Sequence, residues 1–227
     1  MAWMALVTTI SFAQKDWAQF GRYEEQNTKI DFSAEAVFMG NSITDNWYKF
    51  DTDFFTKNDF IGRGISGQTT AEMLVRFRRD VIDLRPKVVV ILAGINDIAQ
   101  NNGIIKLENV MGNIASMCEL SKIHNIKVVL CSVLPCNHFS WKPEMKPAED
   151  VRLLNGMIKN YASQHNITYV DYYTPLVNKE GGLSKELSDD GCHPKFNCYT
   201  TMEVIVVKGI NTALKSNKKH YISTPKG

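Results

Sequence analysis

Val88-Val89-Val90-Ile91-Leu92-Ala93 is a six-residue run with no polar side chain, rich in β-branched residues and bounded by Lys87 and Gly94. Successive side chains of a strand point to opposite faces, so a strand with one wet face alternates apolar and polar residues. A run without alternation is buried on both faces, as in the centre of a parallel sheet. Parallel neighbours need a crossover connection, usually a helix, so the flanking sequence must alternate between strand and helix patterns.

It does. Val128–Leu134 (VVLCSVL) repeats the pattern and stops at Pro135. Ala36–Met39, Asp59–Ile65 and Ile167–Val170 supply three further candidate strands. Thr70 is placed to cap a helix over Ala71–Asp83, where Met73, Leu74, Phe77, Val81 and Leu84 recur at helical spacing. Leu107–His124 and Ala148–Gln164 read as the next two helices, and a last one runs from Tyr199 to about Lys215. Five strands with intervening helices predict an α/β fold, a three-layer α/β/α sandwich around a five-stranded parallel sheet with right-handed crossovers.

Length and composition set the outer bounds. At 227 residues, 44% hydrophobic and 22% charged, the chain reads as one globular domain over residues 14–227. A net charge of +2 gives no reason to expect nucleic acid or an anionic membrane as partner. Lys215, Lys218, Lys219 and Lys226 read as a solvated tail. No apolar run reaches the ~18–20 residues of a membrane span. Ala2–Ala13 is short and apolar, with Ser11 and Ala13 at the small-residue positions of a cleavage site, so residues 1–13 read as a truncated signal peptide lacking its charged start. The expectation is export to a periplasmic or extracellular space; without a signal the protein would be cytoplasmic. Cys118, Cys131, Cys136, Cys192 and Cys198 form no C-x-x-C pair, which argues against structural zinc. Cys118 and Cys131 read as buried small hydrophobes, and Cys192 and Cys198 are close enough in sequence for a disulfide in an oxidising compartment.

Chemistry is concentrated in four short blocks: Gly40-Asn41-Ser42-Ile43-Thr44, Gly67, Gly94-Ile95-Asn96-Asp97 and Asp190-Gly191-Cys192-His193. Singly each is ordinary, since a serine caps helices and a glycine marks turns. Jointly, the first three follow three successive strands, on the edge where open α/β sheets bind ligands. The fourth precedes the last helix and can fold over the same edge.

In that order the blocks resemble those of the SGNH hydrolases, the GDSL family of lipases and esterases. The resemblance extends from about Glu35 to Leu214. It implies a flavodoxin-like sheet order and Ser42 as nucleophile. It further implies an oxyanion hole formed by the backbone N–H groups of Ser42 and Gly67 with the Asn96 amide, and Asp190 and His193 as orienter and base. Asn41 stands where the family has Asp, a departure that touches none of these roles. The chemistry implied is attack by Ser42 as His193 takes its proton, giving an acyl-enzyme that water hydrolyses, without metal or organic cofactor. His124, His138, His165 and His220 have no metal-binding spacing.

Other residues have plainer readings. Asp97 reads as a support for the loop presenting Asn96. Trp141 and Phe139, in a loop over the site spanning Pro135–Pro147, are candidate substrate contacts. Trp47 is another, with core packing as its alternative. Arg76, Arg78 and Arg79 read as a solvated helix face. Gly62-Arg63-Gly64-Ile65-Ser66-Gly67 matches the G-x-G-x-x-G of dinucleotide sites, but it follows the second strand and no acidic residue ends the next one. The expected activity is therefore hydrolysis of small or glycan esters, with acetyl the expected acyl group. A lysophospholipase or thioesterase of the same family, or a non-catalytic carbohydrate-binding module on this fold, is the alternative.

Overall fold

In the computed structural model, residues 16–30 and 33–216 are described. Residues 1–13, read above as a signal remnant, and Lys218, Lys219 and Lys226 lie outside them. Five parallel strands, β1 (Ala36–Gly40), β2 (Phe60–Gly64), β3 (Val88–Leu92), β4 (Lys127–Cys131) and β5 (Thr168–Val170), pair in the order β2-β1-β3-β4-β5. The helices are α1 (Glu24–Thr28), α2 (Ser42–Phe50), α3 (Thr52–Thr56), α4 (Thr70–Phe77), α5 (Ile95–Ile98), α6 (Leu107–Ile123), α7 (Ala148–Gln164), α8 (Tyr173–Leu176) and α9 (Phe196–Lys215).

The chain steps one way from β1 to β2 through α2, and the other way from β2 to β5 through α4, α6 and α7. Right-handed crossovers then place α2 on one face and α4, α6 and α7 on the other. The three-layer expectation holds. β3 is buried along its whole length, as its unbroken apolar run requires. On the α2 face, Phe38 meets Trp47, Phe54, Phe55 and Phe60 at ring-centroid separations of 5.2–6.1 Å. Because the order reverses between β1 and β3, the loops leaving these two strands diverge and open a crevice at their carboxyl ends.

Three local readings are corrected. The cap of α4 is Thr69, whose N–H and hydroxyl both donate to Glu72 Oε2, at 2.7 and 2.9 Å. Thr70, expected as the cap, instead reaches across to Asp97. The single helix expected over Ala71–Asp83 widens after Phe77 into a π-type turn, closed by Asp83 N–H donating to Arg78 O at 2.9 Å. α9 begins at Phe196, one turn before the expected Tyr199.

Candidate active site

Ser42 is the first residue of α2, directly after β1. Asn41 is its N-cap and accepts the Ile43 N–H on Oδ1 at 3.2 Å. An amide oxygen caps a helix as a carboxylate oxygen does, so Asn in place of the family's Asp keeps the local geometry. The amides of a helix's first turn have no intrahelical acceptor, and the Ser42 N–H stands at the positive end of α2.

Gly67 sits in the loop after β2 with φ +84°, a conformation costly for any residue with a Cβ. Space is not the constraint there, since a Cβ would meet nothing within 4 Å. At Gly64 the constraint is contact: a Cβ would lie 2.2 Å from the Asp45 backbone nitrogen, so only glycine lets β2 approach α2 so closely. The dinucleotide-like spacing of these glycines thus has local causes, close packing at Gly64 and a left-handed backbone at Gly67. Asn96, on the short α5 after β3, is 5% exposed and donates one Nδ2 hydrogen to the Gln68 carbonyl at 2.9 Å. Among the described residues its second amide hydrogen has no acceptor. Asp97 accepts from the Thr70 amide at 2.9 Å and from the Thr70 hydroxyl at 2.6 Å, tying α5 to α4 as expected. Burial raises the Asp97 carboxyl above its usual range, against the opposing pull of these Thr70 bonds.

The fourth block is delivered by α9. Tyr199 donates its hydroxyl to Ile43 O at 2.8 Å, and Trp47 Nε1 donates to Glu203 at 3.0 Å, so α9 is pinned to α2. The loop before α9 thereby brings His193 Nε2 to 3.0 Å from Ser42 Oγ. His193 Nδ1 lies 2.6 Å from Asp190 Oδ2. The other carboxylate oxygen of Asp190 accepts the N–H groups of His193 and Cys192 at 2.8 and 2.9 Å. Burial works to raise the Asp190 carboxyl, but these N–H bonds and His193 outweigh it and hold the group down at about 2. Ser42, His193 and Asp190 form a continuous chain of hydrogen bonds spanning 151 residues of sequence. Among the described residues no cluster of metal-ligating side chains occurs.

The remaining candidates divide. Trp141 is 43% exposed and lies against His193 at 5.7 Å, at the mouth of the site. Its turn is anchored by buried Phe139 and by the Lys142 ammonium, which donates to Ala99 O at the end of α5. Trp47 is corrected: it is 1% exposed and stacks on Phe54 at 5.6 Å, because its place on α2 faces the sheet and not the crevice. Arg76 is corrected too, from solvated face to fully buried residue. All five cysteines are free; Cys192 neighbours Cys136 rather than Cys198, and the hydrogen bond with Cys136, together with burial, pushes its thiol up. Cys118 and Cys131 are buried, as expected.

Sequence reading missed Asp45, one turn after Ser42, which accepts from Ser66 Oγ at 2.8 Å and so holds the residue before Gly67. It also missed Gln68. The Glu203 partner of Trp47 carried no sequence signal at all.

Known proteins resemble this chain over most of its length. Over 89% of this chain, a solved Bacteroides fragilis protein is 43% identical with a TM-score of 0.86, and all of that chain is covered. A GDSL-like lipase from Bacteroides thetaiotaomicron is also 43% identical, with a TM-score of 0.84 over 86% of this chain and 98% of its own. A Bacillus subtilis lipoprotein is 26% identical over 172 residues, 74% of this chain. The matched part spans only 58% of that relative's length. No helix among the described residues is long and apolar enough to cross a membrane. Residues 38–197, more than half the chain, match the GDSL-like Lipase/Acylhydrolase family model, and the chain belongs to that family.

Proposed function

We propose that this protein is a serine ester hydrolase in which Ser42 attacks the ester carbonyl, His193 is the general base and acid, and Asp190 orients His193. The observation that carries the reading is the unbroken contact from Ser42 Oγ through His193 to Asp190, at 3.0 and 2.6 Å. A serine hydroxyl is a poor nucleophile until a base takes its proton as the bond forms. His193 Nε2 is within transfer distance, and Asp190, held down at about 2, stays charged across the neutral range to stabilise the imidazolium. Negative charge then develops on the carbonyl oxygen. The Ser42 N–H, the Gly67 N–H and the free Asn96 hydrogen are the donors that would receive it. His193 returns the proton to the leaving alcohol, and water repeats the sequence on the acyl-enzyme.

The finer part of the proposal concerns the ester. His193 protonates the leaving alcohol, so the half-exposed face of Trp141 beside it borders the alcohol side. A flat aromatic face in that place favours a ring-shaped alcohol with an apolar side, which a sugar presents, and the reading is removal of short acyl groups, acetyl first, from carbohydrate. The lipoprotein relative supports export, where such substrates are met.

The test is hydrolysis of p-nitrophenyl acetate, butyrate and octanoate, followed by acetylated xylo-oligosaccharides, with Ser42→Ala as control. Turnover that falls with chain length and drops by about 10⁴-fold or more in Ser42→Ala is the expected result. Rates rising with chain length would move the substrate to lysophospholipids or long-chain thioesters. Turnover that persists in Ser42→Ala would overturn the mechanism.

A further inference from the structure

Arg76 lies on α4, is fully buried and does not touch the Ser42–His193–Asp190 chain. A buried guanidinium is tolerated only where its charge and its N–H groups are met. The charge is met by buried Asp80, one turn further on, at 2.8 Å from Nη1. The other hydrogen bonds of Arg76 go to groups outside its own helix. Nη2 donates to the carbonyls of Gly40 and Arg63, each at 3.0 Å, and Nε donates to Gln68 Oε1.

Those acceptors have one thing in common. Gly40 closes β1 two residues before Ser42, and Arg63 lies at the end of β2, where the loop to Gly67 departs. Gln68 follows Gly67 and accepts the Asn96 amide on its backbone carbonyl. A single planar cation therefore bonds to the ends of β1 and β2 and to the Gly67 loop, and it reaches the third loop, which carries Asn96, through Gln68. The N-terminal segment closes the network from outside. Gln68 Nε2 donates to Ala18 O at 2.9 Å, the Tyr23 hydroxyl donates to Gly64 O, and Asn27 Nδ2 donates to Asp80 at 2.9 Å.

We infer that Arg76, acting through Gly40, Arg63 and Gln68, is the positioning residue of the oxyanion hole. This rests on the hydrolase reading above. Donors lower the barrier only when they are already aimed at the place where charge will appear. The loops after β1, β2 and β3 belong to different parts of the chain; they touch through Ser66 and Asp45 and through Asn96 and Gln68, and a shared anchor beneath them adds a constraint that those two bonds do not supply. Arg76 supplies it because its fork of donors is rigid and planar.

The experiment uses the full chain and two variants. Removing Arg76 alone would leave Asp80 as an unpaired buried charge, so Arg76→Met is paired with Asp80→Leu, an exchange of ion pair for apolar volume that folds often tolerate. Gln68→Leu is the second variant and leaves the ion pair intact. Active sites are counted with a p-nitrophenyl phosphonate, and kcat and KM for p-nitrophenyl acetate are taken per counted site. Inhibition by a trifluoromethyl ketone, whose serine adduct carries an oxyanion, is measured alongside thermal midpoints.

The expected result is a kcat per site lowered by about 100-fold, with KM changed by less than about threefold and the ketone's inhibition constant raised in parallel. A merely structural role would lower the counted sites and the midpoint while leaving kcat per site and ketone inhibition at wild-type values. That outcome overturns the inference. Wild-type turnover independent of Ser42 would instead overturn the hydrolase reading and this inference with it, so the two failures are distinguishable.

Discussion

The two halves of the site are built in opposite ways. Ser42, Gly67 and Asn96 stand at three strand ends, above a buried polar network whose members are far apart in sequence. Asp190 and His193 stand on one loop with side chains 32% and 30% exposed, and the bonds that shape it run between residues 188 and 193. One half is fixed by tertiary structure; the other takes its internal shape largely from its own backbone and is carried to Ser42 by α9. Changes to the first should therefore disturb folding and activity together, whereas changes to the second should cost activity with little effect on stability.

The sharpest test of that contrast is Asp190→Asn. It keeps an acceptor in place but removes the charge that stabilises the imidazolium, and kcat is expected to fall by about 10³-fold. The thermal midpoint at neutral pH should stay near wild type. A large drop in midpoint would show that the loop is tied into the fold more deeply than its local bonds indicate.

Asn96→Ala comes next. It removes one proposed oxyanion donor and also strands the Gln68 carbonyl, so a loss in kcat of about 10²-fold should come with a measurable loss of stability. Loss of activity alone would mean that Asn96 serves the substrate without bracing the Gly67 loop.

Asp97→Ala carries the comparison onto the fold. The Thr70 amide and hydroxyl lose their buried acceptor, a change expected to cost about 2 kcal/mol and lower the midpoint by about 4–8 °C in calorimetry. An unchanged midpoint would remove Asp97 from the set of residues that hold α5 to α4.

The smallest effect is the acid limb of stability. Folding depresses the Asp190 carboxyl from 3.8 to about 2, so the folded state binds its proton later than the unfolded state. The stabilisation is present above pH 3.8 and disappears as pH falls towards 2. Asp190→Asn should flatten that part of the midpoint-against-pH curve, and only slightly, because solvent screens a side chain one-third exposed. A steep, unchanged acid limb would assign that stability to other carboxylates.

Much of this was legible in the chain itself. Val88–Leu92 announces a strand buried on both sides because hydrophobic periodicity is a local property. Asp190 and His193 are likewise legible, since a three-residue offset closes their pair within one turn of loop. Arg76, Trp47 and Thr70 show where local reading fails. Arginine beside Arg78 and Arg79 looks solvated, and only the convergence of β1, β2 and the Gly67 loop supplies acceptors that make its burial tolerable. Trp47 becomes core when Phe54 and Glu203 meet it from other elements. Thr70 loses the cap to Thr69 because Asp97, 27 residues away, claims its amide and hydroxyl. The sequence by itself determined the alternation of elements, the strand-end placement of Ser42, Gly67 and Asn96 and the local Asp190–His193 pair, all of which follow from periodicity and short-range geometry. Only the tertiary structure decided which polar groups are buried and what satisfies them, because a hydrogen bond between distant segments has no signature in either segment alone.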